Sequence, residues 1–235
     1  MLVLHETHTV VGEHARDFGH LCRDELAGGL AAVEGVRLLW YFNHAAGSGP
    51  SYNVVTLTGL SDGAALDRLT AATTDGALAG LSRRMDEWRH EVFGKLVEPV
   101  DWSPLGDLDL TSVPVTSEDH ECTLYMQDTG WPTAPIDDYV AYWDTDYHRH
   151  LEAQPPERRL LRIEACFRTA WGSHRHPEGI LLQKIGNLAA LKGLFTSTER
   201  YDPDRWPGSY MHGALALRDQ WESRLLRTSR WSPLY

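Results

Sequence analysis

From Leu2 to Thr9 the chain is rich in apolar and β-branched residues and carries no helix-spaced stripe, a pattern that predicts a strand. The period then changes. Phe18, Leu21, Cys22, Leu26 and Leu30 recur at three- and four-residue intervals within Glu13 to Glu34, the apolar face of a helix. Val36 to His44 and Tyr52 to Thr58 read as two strands, joined by Gly47-Ser48-Gly49-Pro50, whose glycine and proline supply hairpin geometry. A helical segment opening with Gly76-Ala77-Leu78-Ala79 follows, and the order then begins again. Glu121 to Asp128 predicts a strand, and Ile136 to Leu151 a helix with Tyr139, Trp143, Tyr147 and His150 on one side. Leu160 to Trp171 and Gly179 to Ile185 form an antiparallel pair across a turn at Ser173 to Glu178, and a second helical segment opens with Gly213-Ala214-Leu215-Ala216. The element order β-α-β-β-α therefore occurs twice.

Both copies end alike, in Trp102-Ser103-Pro104-Leu105 and Trp231-Ser232-Pro233-Leu234. One shared tetrapeptide would carry little weight; two in the same order, bounding segments that pass through Trp88 and Trp221, indicate an internal duplication. The interval from Gly76 to Trp102 exceeds that from Gly213 to Trp231 by about two helical turns, which predicts a longer or broken helix in the first copy, with Pro99 as the break. Gly106 to Asp119 is polar, acidic and carries Pro114, as a connector would. The expected organisation is a first unit over 1–105, a linker over 106–119 and a second unit over 120–235. A sheet with helices on one face leaves its other face apolar and exposed, and two such sheets shelter each other.

A β-α-β-β-α unit closed by a Trp-rich helix and a Ser-Pro-Leu ending resembles NIPSNAP domains, within the dimeric α+β barrel group that includes small antibiotic-biosynthesis monooxygenases. Ser103-Pro104-Leu105, Ser232-Pro233-Leu234 and the helices before them carry the likeness. The resemblance implies an α+β fold in which two tandem ferredoxin-like units pair their antiparallel sheets into an intrachain α+β barrel. It also implies a choice among cofactor-free oxygenases, cyclases, lyases and heme-using enzymes, which fold analogy cannot make.

Composition narrows the partners. A formal net charge of −11 repels a nucleic-acid backbone. The N-terminus lacks a basic region and a long apolar core, and no apolar run approaches the roughly 20 residues of a membrane helix. Nucleic acid and membrane are thus not expected partners. Cys22, Cys122 and Cys166 form no CxxC pair and read as small buried hydrophobes, which suits reduced thiols in a cytoplasmic protein. There is no GxGxxG after a strand, no Walker A loop, no GxSxG elbow and no CxxCH, which disfavours nucleotide-dependent chemistry, α/β-hydrolase chemistry and c-type heme.

The densest polar group is His5-Glu6-Thr7-His8 on the first strand. A zinc reading fails, because HExxH needs a helix and this is HExH on a strand, where His5 and Thr7 face one side and Glu6 and His8 the other. Glu6 and His8 could serve as a base and its orienting carboxylate; most such polar residues are structural or solvated. Trp40, Phe42 and His44 alternate with Tyr41 and Asn43, giving an aromatic face with a polar tip that suits a planar substrate or an ordinary core. Tyr125 and Gln127 hold the corresponding place in the second half and could bond a substrate oxygen. His148 and His150 flank Arg149 at a helix end, as a cap. His174 and His176 in a turn supply too few ligands for a closed metal site. Arg83, Arg84 and Arg89 with Asp86, Glu87 and Glu91 read as charge pairs on a helix face. Tyr201 to Trp206 reads equally as a loop or a lid.

The leading expectation is an enzyme acting on a small hydrophobic, aromatic or polyketide-like molecule by acid-base chemistry or oxygenation, without a nucleotide cofactor. His5, Glu6, His8 and His44 are its candidate catalytic residues, and Trp40, Tyr41, Tyr125 and Gln127 its candidate substrate contacts. No cofactor is predicted. Two alternatives stand beside it: a metal or non-covalent heme held by the His-rich first strand, and a non-catalytic binding or assembly module. Homo-oligomerisation stays open.

Overall fold

A computed structural model describes the backbone of residues 1–45, 47–196 and 208–235 and their side chains except 194 and 195. Tyr201 to Trp206 lies outside the described residues. In the first half, β1 (Leu2–Val10) leads into a nearly continuous helix of α1 (Ala15–Leu21), a π-helical turn at Cys22–Leu26 and α2 (Ala27–Ala31). Then come the hairpin strands β2 (Val36–His44) and β3 (Asn53–Leu60), α3 (Gly63–Thr74), α4 (Ala79–Glu87) and β4 (Arg89–Pro99). Asp62 caps α3, its carboxylate accepting from the Ala65 amide at 2.8 Å. The second half repeats the plan: β5 (Leu124–Pro132), α5 (Ile136–Tyr142), a π-helical turn at Trp143–His148, α6 (Arg149–Glu152), β6 (Leu161–Trp171), β7 (Gly179–Ile185), α7 (Leu188–Thr196), α8 (Tyr210–Ala214) and β8 (Arg218–Thr228).

The strands close into a barrel in the order β1-β3-β2-β8-β5-β7-β6-β4. Each half contributes a ferredoxin-like antiparallel sheet, and the sheets join edge to edge at two seams, β2 with β8 and β4 with β6. Closure leaves no open sheet edge, which a lone half would expose on both sides. The fold is thus the intrachain α+β barrel that the duplication predicts.

Two expectations change. Each half ends in a fourth strand, β4 or β8, where the sequence suggested helix. After their opening arginines, the first parts of both strands are largely exposed and densely charged, so their charge spacing imitates a helix face; Arg83 and Arg84 lie on α4, but Arg89 opens β4. The repeat also aligns differently. At the seams Pro99 lies opposite Phe167, and Thr228 opposite Phe42. Trp102 and Trp231 follow at the same interval, so the Trp-Ser-Pro-Leu copies are equivalent. Gly76-Ala77-Leu78-Ala79, however, leads into α4, whereas Gly213 to Ala216 ends α8. The unequal spacing reflects that mismatch, and Pro99 ends a strand rather than breaking a helix.

The repeated ending latches the halves together. Ser103 Oγ accepts from the Cys166 amide at 3.0 Å, and Ser232 Oγ accepts from the Tyr41 amide at 3.0 Å. Each serine is buried and bonds a strand of the opposite half. Trp231 packs on Tyr41 with centroids 4.8 Å apart, while Trp102 donates to the Val140 carbonyl at 3.1 Å. Removing either hydroxyl strands a buried amide, so Ser232→Ala and Ser103→Ala are each expected to lower stability by about 1–3 kcal/mol, read from urea midpoints.

Three apolar cores form among the described residues. The barrel interior is packed with Val3, Leu39, Trp40, Phe42, Tyr125 and Phe167 among others. Leu105 and Val113, with the partly buried Leu108 and Leu110, close onto it, so the 106–119 stretch packs against the barrel instead of running free. The other two cores lie between each half's sheet and its helices. Cys22 and Cys166 are buried as expected, but Cys122 is exposed, because it precedes β5 outside the packed layers. Among the described residues no helix is long and apolar enough to cross a membrane.

Candidate functional site

A cavity of about 670 Å³ lies in the helix-sheet layer of the second half. Strand alternation decides its floor. Tyr125, Gln127 and Thr129 point into the barrel, so Met126, Asp128 and Gly130 point outward to the helices. Leu181 of β7 and Arg218 and Ser223 of β8 complete the floor, and Tyr139, Trp143, Tyr147 and Tyr210 form aromatic walls. Glycines set the close approach of these rings. A Cβ at Gly179 would sit 2.8 Å from the Trp143 ring, and one at Gly130 would collide with Tyr139. The π-helical turn starts at Trp143 and contains Tyr147; such turns insert an extra residue and re-aim the side chains around them.

The polar centre is Asp128. Its Oδ2 accepts from Gln183 Nε2 at 2.8 Å, and Gln183 Oε1 accepts from the Tyr147 hydroxyl at 2.6 Å. The amide is thereby locked in one orientation and holds the carboxylate in place. Asp128 Oδ1 has no partner among the described residues, nor has Arg218 Nε. Burial raises the Asp128 pKa to about 6, against the lowering influence of Ser223, Gln183 and Arg218. Arg218 is 3% exposed, lies over the Trp221 ring at 5.3 Å and donates weakly to Met211 Sδ at 3.8 Å. Burial pushes the Tyr147 and Tyr210 hydroxyls up, so both stay neutral donors. The arrangement offers an ionised base with a free oxygen, a buried cation and flat apolar walls.

The residues singled out from sequence fall elsewhere: none of His5, Glu6, His8, His44, Trp40, Tyr41, Tyr125 or Gln127 borders this cavity. His5 and Gln127 face into the barrel and bond each other across the halves, Nε2 to Oε1 at 2.8 Å. Burial lowers the His5 pKa to about 4. Trp40 and Tyr125 flank Phe42 in the barrel core. Glu6 and His8 share the opposite face, but His8 bonds Thr56 Oγ1 at 3.1 Å and Arg89 at 2.8 Å, not Glu6. His8 is held near 3 by burial and then by Arg89. Tyr41 packs on Trp231, and His44 ends β2 beside Gly49. Among the described residues no group of three or more His, Cys, Asp or Glu could hold a metal ion.

Asp128, Gln183 and Arg218 escaped the sequence reading, whereas Tyr147 was placed with Tyr139, Trp143 and His150 on one helix side, the side that borders this cavity, without a functional role. One signal was present: Asp128 is a carboxylate on an otherwise apolar face of a strand that already held two candidates on its other face.

No family model matches the chain, and no curated relative does. Solved structures do match its fold. An anthrone oxidase-like protein superposes with a TM-score of 0.63 at 12% identity, covering 99% of this chain and 93% of its own. A candidate monooxygenase from Lactobacillus acidophilus gives 0.59 at 9% identity, covering 98% and 97%. A NIPSNAP family protein from Agrobacterium tumefaciens matches 44% of this chain and 97% of its own at 21% identity and a TM-score of 0.39. The two full-length matches show that the chain has the dimeric α+β barrel fold.

Proposed function

We propose that this chain is a small-molecule enzyme whose active site is the second-half cavity, and that it deprotonates an aromatic or polyketide-like substrate without a nucleotide cofactor. The observation carrying this reading is that Asp128, whose Oδ2 is held by Gln183 while its Oδ1 has no partner among the described residues, borders an aromatic cavity together with a buried arginine whose Nε is likewise unpartnered. With a pKa near 6, Asp128 is ionised at neutral pH and basic enough to take a proton. Arg218 would stabilise the resulting oxyanion in a site of low dielectric. Tyr147 and Tyr210, whose rings stack at 4.5 Å, form one side of a slot for a planar ring. His5 and Gln127 act in this reading as a tie between the halves.

The likeness to an anthrone oxidase-like protein supports a specific test substrate. An anthrone bears an acidic CH₂ opposite a carbonyl. Removal of one proton by Asp128 gives an enolate that reacts with dioxygen; one oxygen atom becomes the new ketone, and the other leaves as water with the two former CH₂ hydrogens. The full-length protein is mixed with anthrone, and oxygen uptake and anthraquinone formation are followed. One dioxygen consumed per quinone formed, at a rate proportional to protein, is the expected result. Absence of both turnover and Trp fluorescence quenching by anthrone and by 1-naphthol would remove the basis of the reading.

A further inference from the structure

The strand registers superpose the two halves residue by residue. Glu6 lies opposite Gly94 and Thr56, and Asp128 opposite Ser223 and Leu181. Val10 faces Arg89 after a register shift at Thr9/Val10, and Pro132 faces Arg218 after a shift at Trp131/Pro132. Glu6 and Arg89 thus occupy the places of Asp128 and Arg218, and the π-helical turns at Cys22–Leu26 and Trp143–His148 correspond as well. A second cavity, of about 190 Å³, lies at the matching place in the first half and borders both Glu6 and Arg89.

We infer that the first half holds a second, smaller ligand site, built on Glu6 and suited to a neutral molecule of one aromatic ring that donates a hydrogen bond. Several features set that ligand class. Leu26, Leu30, Leu69 and Met85 supply apolar walls, and Glu6, Thr58 and Arg89 the polar end. A dry cavity of about 150 Å³ already holds benzene, so one ring fits here while the fused rings that suit the second half do not. Asp86 and His8 take the Arg89 guanidinium's hydrogen bonds, at 2.9 Å and 2.8 Å. The Asp86 carboxylate thus already balances the arginine's charge, which favours a neutral ligand over an anion here. Burial raises the Glu6 pKa, with Arg89 opposing, so a donor on the ligand would satisfy a carboxyl that the apolar walls cannot. His8 stands where the second half has Gly130, and its ring reduces the room available.

The test is crystallographic. Crystals of the full chain are soaked in 4-bromophenol, and bromine is located by its anomalous signal. Peaks in both helix-sheet layers are expected, the first-half peak within hydrogen-bonding geometry of Glu6. Thr58→Leu, which fills the first cavity from the sheet side, should abolish that peak and leave the second-half peak. Asp128→Asn should leave the first-half peak in place. Bromine confined to the second half in the wild-type chain overturns this inference and leaves the proposed function standing, as does a first-half peak that Thr58→Leu fails to remove. Bromine confined to the first half supports the inference and counts against the second-half active site instead.

Discussion

Asp128→Asn lowers turnover of an anthrone-class substrate by about 10²- to 10⁴-fold, the loss expected when a positioned general base is removed. The variant keeps the shape of the carboxylate and an oxygen for Gln183, so the cavity persists. In the wild-type protein kcat/KM rises with pH and levels off above about 6, because the ionised form of Asp128 is the active one. Stability moves oppositely. The folded-state pKa, about 6, lies above the ordinary 3.8, so the native protein binds this proton more tightly than the unfolded chain does. That contribution is complete below about pH 4 and is lost as pH rises through 6, a difference on the order of 3 kcal/mol. Asp128→Asn removes the buried charge, so at pH 7 the variant is expected to melt higher while turning over far more slowly. A purely structural aspartate would lose stability and activity together, and that outcome in calorimetry and oxygen uptake would rule out the assigned role.

Glu178→Ala is expected to cost about 3–5 kcal/mol of stability, the largest effect of any single substitution discussed, because it leaves a buried cation without its partner. Lys95 Nζ lies 2.8 Å from Glu178 Oε1, which also accepts from Thr169 at 2.7 Å, and Trp131 Nε1 donates to Oε2 at 2.9 Å. Glu178 is 1% exposed. Lys95 belongs to the first half and the other three groups to the second, so the ion pair fastens the halves together beside the β4-β6 seam. A double variant, Lys95→Met with Glu178→Leu, should recover most of the loss, since two apolar side chains of similar volume need no compensating charge. Chemical denaturation of the three proteins measures both values; equal losses in single and double variants would show that packing, not charge, governs the site.

The two polar clusters were legible to different degrees. His5-Glu6-Thr7-His8 drew notice as a dense local run, and strand alternation correctly separated its two faces. Nothing local could show that His8 spends both nitrogens on Thr56 and Arg89, because those partners arrive from β3 and β4. Asp128, Gln183 and Arg218 come from three strands of the second half, so no window along the chain holds them together. Glu178 and Lys95 were equally invisible, each ordinary in its own segment. Likewise β4 and β8 become strands because the neighbouring strands supply hydrogen-bond partners, while their own charged stretches carry no period-2 signal.

By itself the sequence determined the duplication, the β-α-β-β order of each half and the hairpins, since these follow from side-chain periodicity and turn residues close together in the chain. Tertiary structure alone decided which sheet face became filled core and which bordered a cavity. That outcome depends on how two sheets close against each other, on glycines at positions 130 and 179 that admit aromatic rings, and on charges brought within reach only after the barrel shuts. Local pattern sets what an element is; long-range packing sets what it faces.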